Sequence, residues 1–180
     1  MKGILFNEFL NYVEETHSYT MVDEIIEDSQ LSSHGAYTSL GTYSQKELIQ
    51  LINKLSDKIA KPASVILQEY GEYLFAIFVK KYPQFFKKKK SVFQFLEGLE
   101  SHIHMEVKKL YERTELPHFE CTYITPSQFE MIYTSSRPLA DLAEGLIRGC
   151  IGYHGETISI VRENIPTPKG TKAKFILMKG

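Results

Sequence analysis

Residues 129–137 read Phe-Glu-Met-Ile-Tyr-Thr-Ser-Ser-Arg, and Tyr133, Ser135 and Arg137 take alternate places at the end of that run. The stretch from Phe129 to Ser135 has the composition and alternation of a β-strand. Side chains at i, i+2 and i+4 of a strand leave one face and span roughly 13 Å at about 3.3 Å per residue. One face therefore offers two hydroxyls and a guanidinium. A forked planar cation beside two hydroxyl donors suits a ligand with two carboxylates, because guanidinium meets carboxylate through paired, charge-assisted hydrogen bonds that lysine cannot copy. The wet side of an ordinary exposed strand carries the same residue types, so the neighbours of the triplet have to decide its meaning.

Upstream, residues 91–111 place Phe93, Leu96, Leu99, Ile103, Val107 and Leu110 at the spacing of one helical stripe. His102 and His104 flank that stripe. At 100° per residue His104 sits about 90° from its centre and His102 about 110°, so periodicity alone does not choose between them. Leu116-Pro117 follows, and Pro117 cannot continue a helix.

A helix histidine, a proline after that helix and then Tyr-x-Ser-x-Arg together resemble the haem-nitric oxide/oxygen binding family, H-NOX, which includes the haem domain of soluble guanylate cyclase. The resemblance covers nearly the whole chain, from Met1-Lys2-Gly3-Ile4-Leu5 through the helix with Tyr70-Gly71-Glu72-Tyr73 to the triplet. It implies an α+β fold, a helical lobe of about residues 1–60 and a haem-binding sheet lobe of about 61–180 within one domain, with haem b buried between them. In the family the proximal iron ligand precedes the motif tyrosine by just under thirty residues. Tyr133 lies 29 residues after His104, which selects His104. Neutral imidazole is the usual proximal ligand where haem binds diatomic gases at the opposite position. The resemblance further implies that Tyr133, Ser135 and Arg137 hold the propionates and that Pro117 bears on the porphyrin. Leu5, Phe78 and Leu146 join the pocket wall.

Family members that hold oxygen place a distal tyrosine and supporting polar groups at the positions of Leu142, Phe9 and Leu74. All three are apolar here, as in members selective for nitric oxide, where oxygen is poorly held. Tyr12, Tyr70 and Tyr73 are the residues whose inward turn would change that expectation. Stand-alone bacterial members suggest a histidine kinase or a cyclic-di-GMP enzyme, a diguanylate cyclase or phosphodiesterase, as the partner in trans. Two other readings differ in class: a haem enzyme consuming nitric oxide or peroxide, which needs polar distal acid/base groups, and a haem-free interaction module.

The 180 residues suffice for one well-filled domain, and the net charge of −1 supplies no field toward nucleic acid or an anionic membrane. Asn7, Glu8, Asn11 and Glu14 interrupt the N-terminal helix, leaving no secretory core or membrane span, so a cytosolic protein is expected. Cys121 and Cys150 show no zinc-like spacing and read as small hydrophobes. Lys87-Lys88-Lys89-Lys90, with Lys80 and Lys81, is the one dense charge run. It reads as solvated surface, or as a docking site for an acidic partner.

Helices are expected over Gly3–Thr16 and Met21–Glu27, after a capping box at Ser44-Gln45-Lys46-Glu47, and from Pro62 to Tyr82. Strands are expected over Phe119–Ile124, Phe129–Ser135, Glu156–Arg162 and Lys172–Met178, giving a four-stranded antiparallel sheet. A helix opened by Pro138 runs to Cys150 and is closed by Gly152. Gly71 and Gly145 sit inside helices, where each costs about 1 kcal/mol relative to alanine, for close packing or as a pivot. The ligand assignment is checked by substitution: His104→Gly should lose the proximal bond and added imidazole should restore five-coordinate ferrous haem, whereas His102→Gly should do neither.

Overall fold

A computed structural model of the chain describes residues 1–86, 91–110 and 115–180, so the lysine run 87–90 and the helix end at Tyr111 lie outside the described residues. Four helices come first: α1 (Ile4–Thr16), α2 (Tyr19–Asp28), α3 (Gln45–Ile59) and α4 (Ala63–Lys81). Apolar spacing makes α3 amphipathic, and Leu48, Leu51, Ile52 and Leu55 are all buried. Ser44 does cap α3, but its hydroxyl accepts from Lys46 N rather than completing the box with Glu47. The Glu47 carboxylate is instead buried and accepts from the hydroxyls of Ser33 at 2.5 Å and Tyr37 at 2.8 Å. Those two donors hold it more strongly than one backbone N–H at an exposed helix end would. Tyr82-Pro83 ends α4 as its sequence predicts, in a short 3-10 turn over Pro83–Phe85.

The segment expected as one helix over 91–111 is three pieces: α5 (Val92–Glu97), a π turn over Leu99–His104, and α6 (Met105–Leu110). A reciprocal capping box joins Ser91 and Gln94 at its start. The π turn explains why α-helical periodicity could not rank the two histidines. A wider turn advances each residue by less than 100°, which carries His104 back onto the apolar stripe and His102 away from it. His104 is buried and His102 exposed.

Strands β1 (His118–Thr125), β2 (Gln128–Ser135), β3 (Ile158–Ile165) and β4 (Thr171–Lys179) form one antiparallel sheet in the order β1-β2-β4-β3. The register puts Phe129 opposite Leu177, Met131 opposite Phe175 and Tyr133 opposite Ala173, so one sheet face is buried as a block. Helix α7 (Ala140–His154) runs past Gly152, where its closure was expected, and ends at Gly155, which takes the left-handed conformation with φ 66°. Arg162 of β3 ties α7 to the sheet through Asp141 at 2.7 Å and the buried Glu144 at 3.1 Å.

Two apolar cores result. One joins α1–α3 to Ile66, Leu67, Tyr70 and Leu74 of α4; the other joins the sheet to α5, α7 and Phe75 of α4. Helix α4 thus serves both, and it meets α7 backbone to backbone. A Cβ on Gly145 would stand 2.1 Å from Gln68 O, and one on Gly71 would stand 2.6 Å from Leu142 O. Close approach is therefore a sufficient reason for both glycines. No helix among the described residues is long and apolar enough to cross a membrane.

The helix contact makes a paired prediction for urea unfolding. Gly145→Ala should destabilise the protein by about 1–3 kcal/mol, the usual cost of forcing extra volume into a packed site. Gly152→Ala, in the same helix but with nothing within 4 Å of the added methyl, should stabilise by about 0.5–1 kcal/mol. Equal effects would show that the crossing does not constrain α7.

Candidate cofactor site between the two cores

The two cores leave between them a cavity of about 300 Å³, at the small end of the size range of ligand pockets. Its walls are built by α4, the π turn, the segment before β1, strand β2 and α7. Apolar side chains dominate. Leu74, Phe75 and Phe78 enter from α4, and Leu142, Leu146 and Ile147 from α7. Spacings of three and four residues bring each set to one helix face. Leu5 lines the cavity from α1.

His104 lines the same cavity from the π turn. Its Nδ1 lies 3.2 Å from Glu100 Oε1, and its ring packs at 5.9 Å from that of Phe119. Burial pushes the imidazole pKa down, and the Glu100 charge opposes that only in part, so the neutral ring is favoured. A carboxylate can only accept, so Nδ1 carries the proton and Nε2 keeps its lone pair. Among the described residues Nε2 has no hydrogen-bond partner. His102 is turned away, with its Nδ1 near Ser101 Oγ at 2.8 Å and Gly98 O at 3.2 Å.

At the end of β2 the predicted triplet comes together on the cavity. Tyr133, Ser135 and Arg137 all line it, beside Pro117 and Leu116. Burial pushes the Tyr133 phenol up, opposed by Ser135 and the Arg137 charge, so it stays a neutral donor. Arg137 donates through Nη1 to Glu115 O at 2.8 Å and through Nη2 to Glu115 Oε2 at 3.2 Å. Ser136 Oγ donates to the other Glu115 oxygen at 2.6 Å. The strand end is thus a working carboxylate receptor, and three of the five guanidinium N–H groups are left over after the two Glu115 bonds.

Phe9 is the one predicted wall residue not on the cavity. It is fully buried and packs edge-on against Tyr70, with ring centroids 5.2 Å apart. The three tyrosines that could have changed the wall are engaged elsewhere. Tyr70 donates to Leu5 O at 2.6 Å, Tyr12 to Glu69 at 3.0 Å and Tyr73 to Glu15 at 3.0 Å. Sequence reading missed Glu115 and Tyr82, which also line the cavity, and Glu100 behind His104. Only Glu100 left a signal, its four-residue spacing from His104.

An apolar slot, one neutral imidazole with a free Nε2 and a carboxylate receptor at the mouth fit an apolar macrocycle that carries its own metal and two carboxylates. They do not fit a bare ion: among the described residues no three His, Cys, Asp or Glu side chains are grouped to hold one. Haem is thus compatible with the donors present.

The family model described as Haem-NO-binding matches residues 2–162. No curated protein matches the chain. Among solved structures, the Fe(II) unliganded H-NOX protein from K. algicida is 38% identical, with the match covering 100% of this chain and 97% of that one at a TM-score of 0.91. An H-NOX from Shewanella woodyi, bound to IWP-051 in the Fe(II)CO state, is 33% identical over 100% of this chain and 95% of its own, with a TM-score of 0.85. An H-NOX protein from S. oneidensis in the Fe(II)NO state is 25% identical over 100% and 99%, at 0.89.

Proposed function

The chain belongs to the haem-NO-binding family, H-NOX, whose domains bind haem and act as gas sensors, and from that premise we propose that it senses nitric oxide at ferrous haem b and reports to a partner protein. The observation that carries the proposal is the pairing, across one apolar cavity, of a neutral imidazole with a guanidinium-centred carboxylate receptor. Bound haem would supply a ferrous iron able to bind a diatomic gas. His104 would ligate through Nε2. Arg137, Tyr133 and Ser135 would hold the propionates, and Pro117 would bear on the ring from the His104 side.

Leu74, Leu142, Leu5, Phe78 and Leu146 supply no hydrogen-bond donor to the opposite side. A bound oxygen molecule draws electron density outward and is held by such a donor, whereas nitric oxide and carbon monoxide need one far less. The wall therefore favours those two gases, both of which occupy relatives of this chain. An enzyme consuming peroxide would need an acid or base on the same wall.

His104 would be the residue through which gas binding reaches the protein, and its release would free the π turn to shift. The lobes, joined along α4 and α7, then turn and the partner-facing surface changes. A histidine kinase or a cyclic-di-GMP enzyme in trans is the partner this reading assigns. A ligand moves a two-state equilibrium only by its differential affinity, so nitric oxide should act on the partner more than carbon monoxide does.

Absorption spectra test the selectivity. Ferrous protein should remain five-coordinate in air-saturated buffer, become six-coordinate with carbon monoxide, and lose the His104 bond with nitric oxide. A stable oxygen complex would overturn the claim. For the clamp, Arg137→Ala removes the main cation from two carboxylates at a cost of about 1.5–3 kcal/mol. Transfer of haem to an apo-globin acceptor should speed up accordingly, and unchanged transfer in both Arg137→Ala and Tyr133→Phe would remove the triplet from the site.

A further inference from the structure

Glu100 lies outside the cavity wall, yet one of its oxygens gathers donors from two separate elements. Oε1 lies 3.2 Å from His104 Nδ1 in the π turn and 2.8 Å from the backbone N–H of Phe119 in β1. His118 Nδ1 stands 3.5 Å from the same oxygen. Phe119 is two residues beyond Pro117, and its ring lies between those of His104 and Tyr133, at 5.9 Å and 5.5 Å. The π turn stacks Glu100 and His104 on the same side of the helix, so the carboxylate reaches the ring from behind while the ring faces the cavity.

Resting on the reading that His104 ligates haem iron, we propose that Glu100 is the positioning residue for that ligand and the mechanical link from it to the Pro117–Phe119 strap. Three consequences follow from the geometry. Accepting from Nδ1–H fixes the tautomer, so Nε2 is always the nitrogen that faces the cavity with a lone pair. A charged acceptor on Nδ1 pulls the proton toward itself and makes Nε2 a stronger donor to metal. Because the same oxygen also accepts from Phe119 N–H, Glu100 couples motion of His104 to the start of β1. Glu100 thus strengthens the resting bond and carries its rupture to the sheet.

The alternative is that Glu100 merely satisfies the Phe119 N–H at a strand start. Glu100→Gln separates the two, since its amide oxygen still accepts from Phe119 N–H and can accept from Nδ1–H but carries no charge. Resonance Raman of ferrous protein reads the iron–histidine stretch directly. The stretch should fall in Glu100→Gln and fall further in Glu100→Ala. Loss of haem to an apo-globin acceptor should be about 10- to 100-fold faster in Glu100→Ala, the usual range for deleting an outer-sphere partner of a metal ligand. An unchanged stretch in Glu100→Gln, in protein that retains haem, overturns the proposal, and Glu100→Gln decides the matter even where Glu100→Ala fails to fold. Absence of any iron–histidine stretch in the unsubstituted protein would instead count against His104 as the ligand, so the two failures are told apart.

Discussion

Two helices touch without side chains between them, and the shape of the cavity depends on that contact. At Gly71 and Gly145 the backbones of α4 and α7 approach so closely that a single methyl would meet a carbonyl oxygen. Leu74 of α4 and Leu142 and Leu146 of α7, all within one turn of the crossing, line one cavity, where they form an apolar wall. Helix α7 is fixed in turn to the sheet by Arg162 reaching Asp141 and the buried Glu144. Helix α4 carries core residues of both halves. A ligand held between them would sense any change in the crossing, and would impose one.

The opposite side of the cavity is governed by charge. An imidazole among apolar groups stays neutral because burial penalises its cation, and neutrality is the condition for ligation. At the mouth the demand is reversed. Arg137 already engages Glu115 there, through Nη2 to the carboxylate and through Nη1 to the backbone carbonyl. One pocket thus presents a soft neutral donor inside and a hard cationic receptor at its rim, matching a macrocycle with metal at the centre and carboxylates at one edge.

Much of this was legible in the sequence because it rests on local pattern. Alternation at Tyr133 and Ser135 placed two side chains on one strand face, and the sheet register keeps them there, whereas Arg137 lies in the bend after β2 and reaches the same cavity from it. Helical spacing at Leu48, Leu51, Ile52 and Leu55 marked a core stripe that is buried throughout. What escaped depends on non-local geometry. The π turn re-phases His102 and His104, and a reading at constant pitch cannot see it. Glu47 left its expected cap because Ser33 and Tyr37, distant in sequence, offer better donors. Phe9 has the right character for a wall but packs against Tyr70 of α4, a pairing between residues far apart in sequence. Glu115 was invisible as a site residue because its role comes from meeting Arg137 across the strand end.

If this cavity is a haem site, the haem content of the purified protein shows it most directly, measured from the pyridine haemochrome and the iron-to-chain ratio. The expected result is one haem b per chain, bound tightly enough to survive gel filtration, with the ferrous spectrum of a single axial histidine. A folded chain that emerges without haem after expression with ample haem supply, or one whose ferrous iron carries two histidines, would contradict it.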